Sequence, residues 1–259
     1  MIGLEYVNKK ITLNTKKVKH VTIVPIGDLH IGSESSMTEF LHQYMRRLPN
    51  NAYFILVGDI IENALRTSLG DVYKQMIDPE ESIEVAIKFF EPFKDRILGA
   101  VSGNHERRTR KLVGLNPMKI IAGALDIPYA EGILVIDLTL DDKNIDKSYN
   151  YVISVAHGIS SARSIGGKLT ANGRFLDVIE NADIYITGHV HQPAWTKFTR
   201  KVVDKSHKML VKREGYLVLV PAWIEDEEYV ETKLYAPSTN GIVEIDLYAT
   251  ERKILFRLE

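Results

Sequence analysis

Apolar residues in this chain gather in short unbroken runs that stop at glycine, and a polar or ionisable residue follows the stop. Ala52 to Val57 is the clearest case: six residues, five of them large and apolar or aromatic, closed by Gly58 and Asp59. Such a run reads as a strand buried on both faces, with the glycine free to turn at its carboxyl end. VTIVPIG (21–27) is a second strand, which Pro25 confines to a sheet edge or to the strand's last turn. RILGAVSG and DIYITG follow the same rule, Tyr151 to Ala156 runs directly into His157 and then Gly158, and Ile133 to Leu140, YLVLVPA and GIVEIDLYA add further strands. Between them the period changes to that of a helix. Phe40, Leu41, Tyr44, Met45 and Leu48 share a stripe, as do Ile83, Ile87 and Phe90, and Met118 to Leu125 follow an Asn116 cap with Pro117 in the first turn. A helix is also predicted near Arg174 to Asn181, and His42 falls off its stripe and is expected at the surface. The first twenty residues, with five lysines, predict a short edge strand or hairpin. DDKNIDKSYN reads as a hairpin-like loop, and the Ser, Gly and basic segment from Ile159 to Gly173 as a mobile loop able to overhang a site. Arg66 to Pro79 has no clear period.

Strands alternating with helices predict an α/β protein, and 259 residues suffice for one large domain, residues 1–259. With 33 basic and 34 acidic residues the net charge is -1, so any attraction to nucleic acid or to an anionic membrane has to be local. The basic stretch 201–213 and the acidic run 225–228 read as solvated faces or turns. The absence of cysteine excludes disulfides, thiolate metal sites and cysteine nucleophiles. The amino terminus lacks an unbroken apolar core, and no spanning run of about eighteen apolar residues occurs, so the expected compartment is the cytoplasm.

The chemistry is written at the strand ends. Five of the eight histidines, His30, His105, His157, His189 and His191, stand there, leaving His20, His42 and His207 elsewhere. A single histidine is more often a core or surface residue than a ligand. Jointly with Asp28, Asp59 and Asn104, the set predicts convergence on one rim of one sheet, where ligands of α/β proteins collect. An extended 28–30 segment would send Asp28 and His30 to the same side, as two ligands to one ion require. Oxygen and imidazole donors suit manganese, iron, zinc, nickel or magnesium, and the lack of thiolates favours a catalytic over a structural metal.

GDLH (27–30), GDII (58–61), GNHE (103–106), His157 within AHG and GHVH (188–191) occur in the order GDxH, GDxx, GNH(E/D), H, GHxH. In this set the chain resembles the calcineurin-like metallophosphoesterases. The resemblance implies a two-layer mixed β-sandwich flanked by helices, with two divalent metal ions. It implies Asp28, His30, Asp59 and His191 as ligands of one ion and Asp59, Asn104, His157 and His189 as ligands of the other. A water activated between the ions would attack the phosphorus of a phosphomonoester or phosphodiester, and His105, which takes no metal, would protonate the leaving group. Glu62, in GDIIE, matches an aspartate that orients this histidine in the superfamily's protein phosphatases. Asn63 replaces the arginine that grips phosphate in those enzymes, which weakens a protein phosphatase reading. The RRTRK run after GNHE, with Arg163 and Lys168, favours a polyanionic substrate, a nucleotide or nucleic acid, over the competing reading of plain surface charge. A non-catalytic metal-binding scaffold is the rival from another class, and the complete ligand set weighs against it.

Overall fold

Both faces of β3 (Ala52–Leu56) are covered, as its continuous apolar run requires: Ile55 and the following Val57 enter one core, Phe54 and Leu56 another. The computed structural model of the chain describes residues 4–65, 75–225 and 241–258. On either side of β3 lie β2 (His20–Ile26) and β4 (Ile97–Val101), parallel to it, and β5 (Tyr129–Ala130) extends the parallel run beyond β4. β11 (Val243–Tyr248) and β12 (Ile254–Leu258) add antiparallel strands on the side of β2, completing a mixed six-stranded sheet.

The opposing sheet comprises β1 (Leu4–Leu13), β6 (Ile133–Asp142), β7 (Ile145–Ala156), β8 (Ile184–Thr187), β9 (Ala194–Asp204) and β10 (Met209–Leu219). Its order is β1-β6-β7-β8-β10-β9, again mixed. Between the sheets lie Ile23, Ile55, Leu134, Ile136, Ile153, Ile186, Val218 and Ile245, all fully buried. Each contributes roughly 1.5–3 kcal/mol of burial. Helices α1 (Thr38–Arg47), α2 (Pro79–Phe90) and α4 (Pro117–Leu125) cover the outer face of the first sheet through Leu41, Met45, Phe90 and Met118. Asp78 and Asn116 cap α2 and α4 by accepting from the backbone N–H of Glu81 and Lys119. Helix α3 (Asn104–Val113) follows β4, and α5 (Ile165–Gly173) and the short α6 (Phe175–Val178) lie against the second sheet, where Phe175 and Leu176 meet Tyr185 and Leu217. The predicted mixed sandwich flanked by helices is therefore the observed fold. No helix among the described residues is long and apolar enough to cross a membrane.

Several local expectations change. The lysine-rich start is an edge strand, β1, whose parallel partner β6 lies far along the chain, so no hairpin forms there. Pro25 sits in an interior strand, at its last turn: the β11 ladder has ended at Ile23 opposite Ile245. His42 is half-buried rather than on the surface, its ring 5.4 Å from that of Phe89 and 5.6 Å from that of Phe93. The strands of the β6–β7 hairpin run on into DDKNIDKSYN. The segment 159–173 is a loop only as far as Ser164, after which α5 begins in spite of Gly166 and Gly167. Ser164 caps it, and Lys168 Nζ ties it down by donating to Val190 O and Gln192 Oε1, both at 2.9 Å. Of the stretch without clear period, residues 66–74 lie outside the described residues, as does the acidic run beyond Glu225.

Candidate metal centre

Because β2, β3 and β4 are parallel, Asp28, Asp59 and Asn104 leave the same edge of one sheet. β7 and β8, also parallel to each other, deliver His157, His189 and His191 from the other sheet. The set therefore meets across the facing rims of two sheets, where a single rim was expected. A sandwich permits this because strands of both layers end at the same side of the shared core.

The backbone there is strained. Asp28, His30, Asp59, Asn63, His189 and His191 all have φ between 47° and 68°, six of the nine non-glycine residues in the left-handed region among the described residues. Such conformations cost of order 1–3 kcal/mol each and persist where surrounding structure enforces them. The 28–30 segment is accordingly not extended. Its two side chains nevertheless converge, brought together by two left-handed turns rather than by strand alternation.

Three donor groups result among the described residues, and in one of them, His30, Glu62 and His105, Glu62 already bonds His30, which leaves two others. Asp28, His30 and His191 each place a ligand atom within 4.8 Å of the others, and so do Asp59, His157 and His189. Asp28 Oδ1 and His30 Nε2 are buried without a hydrogen-bond partner, although His191 Nε2 lies 3.2 Å from the former. Orphaned buried acceptors of this kind are expensive unless a cation meets them, so the residues fit a metal ion. The remaining atoms are already oriented. His30 Nδ1 bonds Glu62 Oε2 at 2.7 Å, which turns Nε2 toward the group, and His157 Nδ1 donates to Val57 O at 2.8 Å. His157 Nε2 then faces Asn104 Oδ1 at 3.0 Å and Asp59 Oδ2 at 3.1 Å. Asp28 Oδ2 accepts from the His189 backbone N–H at 2.9 Å, pinning the two sheets together.

Charge couples the groups. Burial opposes ionisation of Asp59, but His157, His105 and His30 outweigh it and hold the carboxyl well below its usual range. Burial likewise opposes a charge on His157, yet Asp59 and Asp28 draw it up to about 10. His30 and His157 come from different donor groups, so Asp59 stands electrostatically between them. His189 is pushed down by burial and by His157.

His105 lies beside the centre, its Nε2 3.8 Å from Asp59 Oδ2. Its expected orienting partner is only partly Glu62: the carboxylate bonds His30, and His105 Nδ1 instead donates to the Glu62 backbone carbonyl at 2.6 Å, with Oε2 3.4 Å away. Arg108, one helical turn on, places Nη2 2.9 Å from His105 Nε2. Burial would lower the basicity of His105, while Asp59 and Glu62 raise it to about 9. The arginine contact points the other way, since a guanidinium can only donate and His105 Nε2 must then accept. We take the neutral ring as the state of this arrangement, because a permanent donor at hydrogen-bond distance excludes a second N–H there.

The sequence reading gave Glu106 and Asn63 no structural role, and it read Arg108 and Lys168 only as basic charge favouring a polyanionic substrate. Glu106 is wholly buried and accepts from the backbone N–H groups of Gly103 and Ile60 at 2.8 and 2.7 Å and of Asp59 at 3.1 Å, bracing the Asp59 turn against α3. Glu106 bonding back to the Gly103 N–H is the glutamate half of a capping box, and glycine has no side chain to supply the other half. Asn63, where the phosphatases have arginine, is buried and bonded to the His105 carbonyl and to Thr109 Oγ1. Arg108 and Lys168 become legible only once α3 and α5 are known to be helices. Gly103 itself has no room for a side chain: a Cβ would collide with Asp59 Oδ1 and its backbone N. Gly103→Ala is expected to destabilise the fold by about 1–3 kcal/mol and to weaken metal binding, measured by denaturant unfolding and metal titration. Wild-type stability and affinity would show that the two loops do not pack as described.

A sandwich of two mixed sheets with paired aspartate and histidine donors on its facing rims is a metallophosphoesterase architecture. The family model of the calcineurin-like phosphoesterases matches residues 21–193, more than half of the chain, and the chain belongs to that family. Among solved structures it is similar to a metallophosphoesterase from Sphaerobacter thermophilus, at 12% identity over 92% of this chain and 88% of that one, with a TM-score of 0.39. It is also similar to vacuolar protein sorting 29 from Cryptosporidium parvum, at 14% identity, 93% and 97% coverage and a TM-score of 0.39. GAP50, the anchor in the inner membrane complex of Plasmodium, gives 9% identity, 93% and 84% coverage and a TM-score of 0.45. No curated protein matches the chain.

Proposed function

We propose that the chain, acting as one domain over residues 1–259, hydrolyses phosphoesters with two divalent ions. Asp28, His30 and His191 would hold one ion, Asn104, His157 and His189 the other, and Asp59 would serve both. The observation that carries this reading is the pair of unsatisfied buried acceptors, Asp28 Oδ1 and His30 Nε2, beside a second complete donor group. When bound, such ions acidify water and neutralise phosphoryl charge. The chain's own residues do the rest. Glu62 and the Val57 carbonyl fix the ring tautomers of His30 and His157. His105, once Arg108 has left Nε2 and the ring has taken up a proton there, can give it to a departing alkoxide, and Arg108, a quarter exposed, can take a phosphate oxygen. Manganese is the first ion to try, with iron, zinc, nickel and magnesium as alternatives, and the cytoplasm is the compartment we propose.

Reconstituted protein is expected to hold about two divalent ions per chain and to lose hydrolysis of bis-p-nitrophenyl phosphate on chelation. Elemental analysis after removal of free metal, with the assay run before and after chelator, measures both. A chain that takes up no metal, or whose activity ignores the chelator, would leave only the scaffold reading.

A further inference from the structure

β8 spans only Ile184–Thr187, whereas its neighbours β7 and β10 run on past its start to Ile145 and Met209. The second sheet therefore has a notch one strand wide, about 10 Å between β7 and β10. A cleft of about 1000 Å³ occupies it, lined in part by Asn150, Asp183, Arg200, Lys201, Lys212 and Arg213. The donor groups lie at the other end of β8, so this cleft is not where the ester is cleaved.

The hairpin β9–β10 forms one wall, and its charges are arranged against its own stability. Residues 197–213 hold seven basic residues and one acid in a chain of net charge -1. Arg200 stands directly opposite Arg213, and Lys201 opposite Lys212. Like charges in directly opposed positions repel, and here two successive pairs carry them, one on each face. Little offsets this. Asp183 is engaged by Arg252 and Glu214 by Lys197; Arg213 donates to neutral Asn181, and Arg200 reaches the exposed Asp177 only at 3.7 Å. Lys201 and Lys212 are exposed, with no acidic partner among the described residues. An extended polyanion laid along the face that carries Lys201 and Lys212 would neutralise that pair.

The same face offers stacking. Strand alternation places Trp195, Lys197 and Lys201 together, opposite Tyr216 and Lys212. Trp195 is 43% exposed and braced against Phe256, with ring centroids 5.0 Å apart at 18°. Aromatic rings beside a basic track suit the bases and phosphates of a single strand. An anionic membrane fits less well: Val203 and Leu210 are exposed, but the polar turn 205–208, with Lys205 and Lys208, lies beyond them at the tip and would have to enter the bilayer first. β9 also begins three residues after His191, so a strand bound along the hairpin leads to the donor groups.

We propose that the β9–β10 hairpin binds single-stranded nucleic acid and presents it to the metal centre; that the bound strand is then cleaved rests on the function proposed above. The test is fluorescence anisotropy of labelled oligothymidylate with the full chain in chelator, so that binding is read without hydrolysis, across a salt series. Wild type is expected to bind saturably, with affinity falling as salt rises. Lys201→Ala/Lys212→Ala should weaken binding at least about ten-fold and flatten the logarithmic salt slope by about 1.4, since each phosphate contact to a single strand contributes about 0.7. Lys201→Arg/Lys212→Arg should restore both, and Trp195→Ala should weaken binding without changing the slope. Circular dichroism verifies folding of each variant. Failure of wild type to bind, unchanged affinity and slope in the double alanine variant, or binding to phosphatidylserine vesicles instead of the oligonucleotide would each overturn the arm. Hydrolysis of bis-p-nitrophenyl phosphate by metal-loaded wild type reports on the centre separately, so the loss of one reading is distinguishable from the loss of the other.

Discussion

Asp59→Asn is expected to lower metal content at both positions, from about two ions per chain to well under one, whereas His30→Ala or His157→Ala should empty mainly one. Asp59 shares a donor group with His157 and His189, yet His30 of the other group also bears on its charge. A neutral amide in that place removes the anion that faces both groups. The substitution is gentle to the fold. Asp59 Oδ1 accepts from the His105 backbone N–H at 2.8 Å, and the asparagine carbonyl can retain that bond. Activity should therefore fall by more than the 10–100-fold that follows loss of a residue that only orients a ligand. Calorimetric metal titration of the three variants, beside thermal unfolding, measures the difference. Equal and independent losses in all three would mean that Asp59 serves one ion only, and the shared ligand would have to be sought elsewhere.

That centre was legible in the sequence because it is built from strand ends. An apolar run that stops at Gly58 fixes where Asp59 must stand, β2, β4 and β8 repeat the device and β7 runs directly into His157, so the strand ends brought Asp28, Asn104, His157 and His189 into view and the family resemblance gave them as ligands. What spacing could not express is which layer each strand joins. Val57, Val155 and Ile186 look alike as sequence, but they approach one core from opposite sheets, so the rims face each other. Glycine-rich segments misled in a physically simple way. Gly166 and Gly167 lower helix propensity by roughly 1 kcal/mol each relative to alanine, and that local deficit is overridden by the Ser164 cap and by Lys168 reaching the turn that carries His189 and His191. The left-handed backbone of Asp28 and His30 had no signal either, since neither residue type demands it. The like-charge pairs of the β9–β10 hairpin were readable as a basic stretch, but their opposition depends on register, which only the structure supplies.

His105→Ala is expected to leave metal content near that of wild type and to lower kcat by about 10² to 10⁴, the range for a positioned general acid. The loss should depend on the leaving group. Esters of p-nitrophenol scarcely need protonation, so their hydrolysis should suffer least, and alkyl or nucleoside esters, whose alkoxides are strongly basic, should suffer most. Arg108 adds a condition on this role. In the present arrangement its guanidinium occupies His105 Nε2, and the imidazole N–H at Nδ1 is committed to the Glu62 carbonyl. His105 can take up a proton from solvent at Nε2 and offer it to the leaving group only after Arg108 has turned away, and a phosphate oxygen is the stronger partner that would draw the arginine off. Arg108→Ala should accordingly raise KM more than it lowers kcat, because it removes a phosphate contact while freeing the ring. The measurement is kcat and KM for wild type and both variants over esters graded by leaving-group pKa, at equal metal occupancy. A uniform loss in His105→Ala across the series would place His105 on the transferring phosphoryl group instead of the leaving oxygen, and an Arg108→Ala defect confined to kcat would show that the arginine acts in the chemical step.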